Sequence, residues 1–221
     1  MDSIDYSPLI ISMKTSVAAT IIAFVAGIAA AAFVMRLKNY KNLVDGIFTL
    51  PLVLPPTVIG FFLLVLLGKN GLFGKILLGF ESSVVFTWTA TVIASAVVAF
   101  PLMYRASKAS FEQLDQTLVY SAQTLGMSET RIFFRVILPN CRYGILSGTI
   151  LAFSRAMGEF GATVIIAGNI PGKTQTMALA VYTAIQSGDR ALAFKWALLI
   201  SAISLLAVVV MNSISQKGDR R

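Results

Sequence analysis

The chain has no histidine and a single cysteine, Cys141, among its 221 residues. Without histidine there is no imidazole metal ligand and no histidine general base. One cysteine cannot form a disulfide within the chain, and Cys141 reads as a thiol at a membrane edge with no chemical role. Charge is also scarce. Only 13% of residues are Asp, Glu, Lys or Arg, against about 25% in soluble domains. Acidic residues are the scarcer sign, 10 against 18 basic, for a formal net charge of +8. That excess does not point to nucleic acid, because the basic residues flank apolar runs instead of forming a patch. No internal repeat or low-complexity linker is visible, and the length suits one membrane domain over 1–221. The N-terminus carries Asp2 and Asp5 and no basic segment, so it does not read as a cleaved signal peptide.

What the chain has is apolar length. Hydrophobic residues make up 57% of it, with a mean hydropathy of +0.80. Five apolar runs, near 9–35, 47–67, 84–104, 144–167 and 193–214, are long enough to cross a bilayer, which takes about 20 residues. The expected class is an all-α polytopic membrane protein with about five transmembrane helices. Arg36, Lys38 and Lys41 follow the first run. Arg105, Lys108, Arg131, Arg135 and Arg142 lie between the third and fourth, and Lys217, Arg220 and Arg221 close the chain. The positive-inside rule puts all of these in the cytoplasm, with the N-terminus outside and the C-terminus inside. The outer side then holds Lys14, Lys69, Lys75, Lys173, Arg190 and Lys195, with Asp2, Asp5, Glu81 and Asp189. Residues 174–187 are too short and polar to span and are expected as a re-entrant or surface helix on that side.

The polar insert 105–143 reads as two short helices around a glycine corner. The first is expected from about Glu112 to Leu125, ended by Gly126 in the left-handed conformation. Ser128 is the expected N-cap of the second, with Glu129 in its first turn. Ile132, Phe133, Val136 and Ile137 give it an apolar face between Arg131 and Arg135, and Pro139 is expected to end it. An amphipathic helix lying on the membrane would have the same face. It would not require Gly126 and the Leu138-Pro139 pair at these offsets.

This spacing resembles the cytoplasmic loop of ABC importer permeases: Glu-Ala-Ala, three residues, Gly, nine residues, Ile-x-Leu-Pro. Ala122, Gly126, Leu138 and Pro139 match by position. Ser121 replaces the first alanine and Val136 the isoleucine, while Tyr120 stands where the family has glutamate. The resemblance implies the type I ABC importer permease fold, with short cytoplasmic coupling helices. Ser121, Ala122, Gly126, Leu138 and Pro139 would form the coupling surface on which an ATP-hydrolysing subunit docks.

Two features lie inside the spans. Pro51, Pro55 and Pro56 interrupt the second run at one end, and the carbonyls they free must be satisfied by protein or water. Either this is a broken helix lining a substrate path, with Thr57 as a donor, or it is a packing kink. In the fourth run Arg155 and Glu159 share a helix face four residues apart, and charges inside a span face a cavity or a partner. Either they neutralise each other and hold subunits together, or Arg155 attracts an anion along a path, with Ser154 and Thr163 donating hydrogen bonds. Gly158 and Gly161 allow close helix approach.

Residues 167–174 (Ala-Gly-Asn-Ile-Pro-Gly-Lys-Thr) fit a relaxed phosphate-loop pattern. A true phosphate loop needs a strand before it and a helix after it in a soluble α/β domain, which this sequence does not offer. The stretch from Gly158 to Thr163, followed by Gly168 to Thr176, instead resembles the molybdate branch of the ABC importer permeases. So does Leu50-Pro-Leu-Val-Leu-Pro-Pro56 with Phe100-Pro-Leu-Met103. The resemblance covers nearly the whole chain. It implies a molybdate permease working as a homodimer, with two ATP-binding subunits on the cytoplasmic side and an extracytoplasmic binding protein that delivers the anion. The chain itself would be no enzyme, would carry no cofactor or metal, and would lie in membrane lipid. The nearest alternatives are a sulfate, thiosulfate or tungstate permease. A secondary transporter would show paired repeats, and a channel would show a filter or charged ring.

Overall fold

The computed structural model describes residues 5–69, 71 and 84–219, with side chains to 213. Asp2, Lys75, Glu81, Arg220 and Arg221, used above for orientation, lie outside the described residues, as does the Lys217 side chain. No strand occurs among the described residues. The helices are α1 (Ser7–Arg36), α2 (Lys41–Val53), α3 (Pro56–Leu67), α4 (Trp88–Glu112), α5 (Gln116–Thr124), α6 (Glu129–Asn140), α7 (Arg142–Met157), α8 (Gly161–Ile166), α9 (Met177–Gln186) and α10 (Arg190–Asp219). Three of them (α1, α4 and α10) are long and apolar enough to cross a membrane, and up to five spans result if each of two bent pairs counts as one.

The packing inverts that of a soluble bundle. Between Ile11 and Val34 the inward stripe of α1 is mostly small or hydroxylated, with Ile28 the exception: Ser12, Thr15, Ser16, Ala19, Thr20, Ala23, Gly27 and Ala31 are all buried. Its large residues Ile10, Val17, Ile21, Val25 and Phe33 point outward, where lipid solvates them at no cost. Small residues let backbones approach closely. A Cβ added to Gly27 would stand 2.9 Å from the Tyr104 backbone nitrogen, and one on Gly148 would stand 2.5 Å from the Ala106 Cβ. The main core therefore joins α1, α4 and α7 through Ala19, Ala23, Ala96, Ala99, Ala152 and Ala156. The buried hydroxyls of α1 are satisfied locally and across the bundle. Ser16 and Thr20 donate to the carbonyls of Ser12 and Ser16. Thr15 meets Thr91 at 3.2 Å, and Ser12 Oγ accepts from the Met177 N–H at 2.8 Å.

The single helix expected over 47–67 is two helices meeting at 110°. The cause is local. A residue before proline is pushed out of the helical region. Leu54 precedes Pro55 and Pro55 precedes Pro56, and both are extended, with ψ of 142° and 135°. The run expected over 144–167 is also divided, at Gly158–Phe160, into α7 and α8. The segment around 174–187 contains α9, ten residues long and too short to span. It turns Met177, Leu179, Ala180 and Ala184 inward against α10 and α1.

One polar junction pins α2 to the end of α4. Asp45 Oδ1 accepts from Tyr104 Oη and from Lys108 Nζ, each at 2.6 Å, and Lys41 pairs with Glu112 at 3.4 Å. Both partners of the Asp45–Lys108 pair are mostly shielded. Asp45→Ala should therefore cost about 1–2 kcal/mol, measured as a lower melting temperature of the detergent-solubilised protein. Lys41→Ala, at a more exposed pair, should change it little.

Candidate coupling surface and translocation path

The insert builds its corner from backbone geometry. Asp115 caps α5, its carboxylate accepting the Thr117 N–H at 2.9 Å. That backbone bond holds its pKa below the usual carboxylate value. The cap is thus present at neutral pH and is lost only as pH falls through the lowered value. The helix expected from Glu112 begins instead at Gln116, because α4 runs on to Glu112 and the chain turns at 113–115. At the far end Gly126 has φ +73°. Its N–H bonds the Gln123 carbonyl at 2.9 Å, and the Met127 N–H bonds the Ala122 carbonyl at 3.1 Å. This pair of bonds is a Schellman closure. Ser128 takes the cap position of α6, but its side chain makes no capping bond. Glu129 in the first turn reaches Arg36, at the end of α1, at 3.6 Å.

Pro139 does not end the second helix. The helix continues to Asn140, and the chain then bends by 74° into α7. A proline inside a helix removes one backbone bond and crowds the carbonyl four residues back. Here that carbonyl, of Arg135, lies in a π turn over Phe133–Ile137, where the ladder is already widened. The Cys141 N–H still bonds Ile137 at 3.0 Å, so the turn comes at Cys141.

The insert is bolted to the bundle on one side and open on the other. Ile132 is buried. The Phe133 ring packs edge-on against Phe111 of α4 at 5.9 Å, and the Cys141 thiol donates to the Ser110 carbonyl at 3.2 Å. Beneath the insert is a cavity of about 330 Å³ lined by Arg36, Phe111, Gln123, Glu129, Ile132 and Phe133. Ala122 is buried, Leu138 half-buried, and Ser121, Gly126 and Pro139 are exposed. The outer face presents Leu118, Tyr120, Leu125 and Phe134, and Leu125 is 81% exposed. The sequence reading had not singled out Leu118, Leu125 or Phe134. Phe134 was readable, two residues from Ile132 and so on the opposite face of α6; Leu118 and Leu125 were not, because each lies three or four residues from the buried Ala122.

The two broken helices meet each other. A Cβ on Gly60 would stand 2.8 Å from both Cα and O of Ala162, and one on Gly161 would stand 3.0 Å from the Pro56 Cβ. The start of α3 is thus pressed against the start of α8, and the Pro55–Thr57 break sits beside the Gly158–Phe160 break. Gly60→Val should force these backbones apart at about 1–3 kcal/mol, read as a loss of melting temperature. Gly46→Ala, where an added Cβ meets nothing within 4 Å, should be neutral or stabilising.

Glu159 holds the second break. Its Oε1 accepts the Ala162 N–H at 2.8 Å, capping α8. Its Oε2 lies 2.7 Å from Arg155 Nη1. Among the described residues no donor is aligned on Oε2 as a hydrogen bond, so charge holds that contact. Glu159 is buried and Arg155 half-buried. Ser154 is engaged with its own helix, donating to the Ile150 carbonyl at 2.9 Å. The Thr163 hydroxyl is buried with no hydrogen-bond partner among the described residues, and Pro55 and Thr57 are exposed. The loop with the phosphate-loop pattern follows a helix and binds itself: Thr174 Oγ1 accepts the Ile170 N–H and donates to the Gly168 carbonyl.

A family model described as "binding-protein-dependent transport system inner membrane component" matches residues 23–221. The chain belongs to this family. As an inner membrane component it is a multi-pass membrane protein and a transport component. The chain is 43% identical over 194 residues to the molybdenum transport system permease protein ModB of Haemophilus influenzae, covering 86% of this chain and 85% of that one. It is 38% identical over 220 residues to ModB of Escherichia coli, covering 98% and 96%. The sulfate transport system permease protein CysT of Salmonella typhimurium is more distant, at 34% over 181 residues, covering 82% of this chain and 65% of that one. The MetNI methionine ABC transporter in an inward-facing conformation matches with a TM-score of 0.75, covering 96% of this chain and 94% of that one. At 14% identity that match shows the fold alone, that of the type I ABC importer permeases.

Proposed function

We propose that this chain, as one transmembrane domain, is the permease subunit of an ATP-driven molybdate importer. The observation that carries the importer reading is the coupling face, where Tyr120, Leu125 and Phe134 are exposed on an insert anchored to α4. Apolar side chains of this size, uncovered on a fixed support, suit a protein partner. The molybdenum permeases among the relatives support the substrate. Two copies of the chain would enclose the path. ATPase subunits docked on the two inserts would draw them together as they close, and the anchored helices would carry that motion to the gate. The orientation that puts ATP on the correct side has the N-terminus outside and the C-terminus inside. An extracytoplasmic binding protein would release the anion into the cavity so opened. The facing breaks at Pro55–Thr57 and Gly158–Phe160, with Arg155, Glu159 and Thr163, are the proposed path lining.

The test is uptake of molybdate into proteoliposomes holding this chain with its ATPase and binding protein, with and without ATP, and with sulfate as competitor. ATP-dependent uptake that sulfate barely reduces is expected. Abolition by equimolar sulfate would move the substrate to sulfate, the second reading favoured by the CysT relative. Uptake indifferent to ATP would remove the importer reading itself. Tungstate has the same shape and charge and is expected to compete fully.

A further inference from the structure

The insert 105–143 holds three carboxylates, and each is engaged within the chain. Glu112 pairs with Lys41 at 3.4 Å and Glu129 with Arg36 at 3.6 Å. Asp115 accepts the Thr117 N–H at 2.9 Å. The charges left over are positive. Arg131 and Arg135 on α6 are exposed, and neither pairs with an acidic side chain among the described residues. At the glycine corner the uncovered side chains are apolar or neutral. Leu125, directly before Gly126, is 81% exposed and Tyr120 is 62% exposed, with Ser121 and Thr124 exposed beside them. Tyr120 stands where the family pattern has glutamate.

We propose, building on the coupling reading, that the ATPase subunit receives this corner in an apolar cleft with no cationic side chain in it. A docked cleft excludes water, and a charge enclosed there needs a partner. The corner offers none to a cation, because no carboxylate of the insert is free. Stacking on the Tyr120 ring would return to a buried cation only part of its lost hydration, and Arg131 and Arg135 would repel it. Tyrosine is instead a residue type that anchors interfaces through its ring, and covering Leu125 removes apolar area from water. The corner thereby selects among ATPases: one whose cleft holds a lysine or arginine for a glutamate is a mismatch.

Titration of the soluble ATPase subunit onto the full chain in nanodiscs tests this at position 120. Tyr120→Phe should bind as the unchanged chain does. Tyr120→Ala should bind about tenfold more weakly. Tyr120→Glu should bind at least as weakly as the alanine variant, since its carboxylate would be enclosed without a cation. Glutamate binding more tightly than alanine would reveal a cation in the cleft and overturn the proposal, while leaving the coupling reading in place. Unchanged binding by all three variants would overturn it too, by removing Tyr120 from the contact. No binding by the unchanged chain would overturn the coupling reading and the proposal with it. A lipid surface as the occupant is tested with a polarity-sensitive fluorophore on Leu125→Cys, the native Cys141 being buried. Its emission should report water in nanodiscs alone and shift to the blue once the ATPase is added. Blue-shifted emission before that addition would place the corner on lipid and overturn the proposal.

Discussion

Gly126→Val should reach the membrane with its helices intact and still lose about tenfold or more of ATP-dependent uptake. The space around Gly126 is open, and an added Cβ meets nothing within 4 Å. The penalty is therefore conformational. A left-handed backbone costs an L-residue about 1–2 kcal/mol, and a β-branched side chain more. Relief of that strain would undo the bonds from Gly126 to Gln123 and from Met127 to Ala122, so α5 would no longer meet α6 at a fixed angle. Gly126→Asn is the control. Asparagine visits this conformation readily, so most uptake should remain. The check pairs uptake with pull-down of the ATPase subunit, and both should fall together in the valine variant. Full activity in Gly126→Val would remove Gly126 from the coupling role.

Glu159→Ala should be the most destabilising single change at the second break. It removes the acceptor that caps Ala162 and leaves the half-buried Arg155 without its counter-charge. Stripping one partner from a buried pair costs about 3–5 kcal/mol. With Arg155 partly exposed, about 2–3 kcal/mol is expected here. Arg155→Met combined with Glu159→Gln keeps an acceptor for Ala162 and removes both charges, so melting temperature should largely recover. Uptake by that double variant then separates the two roles left open by the sequence. Recovered uptake would make the pair a structural clasp. Recovered stability with uptake still lost would make Arg155 part of the anion path.

The long elements were legible because length and hydropathy alone fix them. Ser7–Arg36, Trp88–Glu112 and Arg190–Asp219 each correspond to an uninterrupted apolar run. The glycine corner was legible as well, since few residues other than glycine accept the φ that a Schellman closure demands. The consecutive prolines announced a break but not its 110° angle, which depends on Gly60 and Gly161 meeting residues a hundred positions away. Asp45 lies on α2 and Tyr104 and Lys108 on α4, and nothing local in the sequence ties the two helices together. Pro139 was misread because proline stops a helix only where the preceding turn cannot widen, and the π turn at Phe133–Ile137 is invisible in composition. The Asp115 cap was readable, an acidic residue directly before an amphipathic stretch, but the continuous helical pattern through Glu112 obscured it.

The bond between Ser12 and Met177 has a consequence for biogenesis. The two residues are separated by 165 positions, so most of the chain is synthesised before that hydroxyl finds its permanent donor. Until then α1 must reside in the bilayer with Ser12, Thr15, Ser16 and Thr20 on an uncovered side. Ser16 and Thr20 cope alone, because each donates back into its own helix. Thr15 must wait for Thr91 and Trp88, and Ser12 for α9. The nascent first helix is thus a half-finished surface that the later segments complete in chain order.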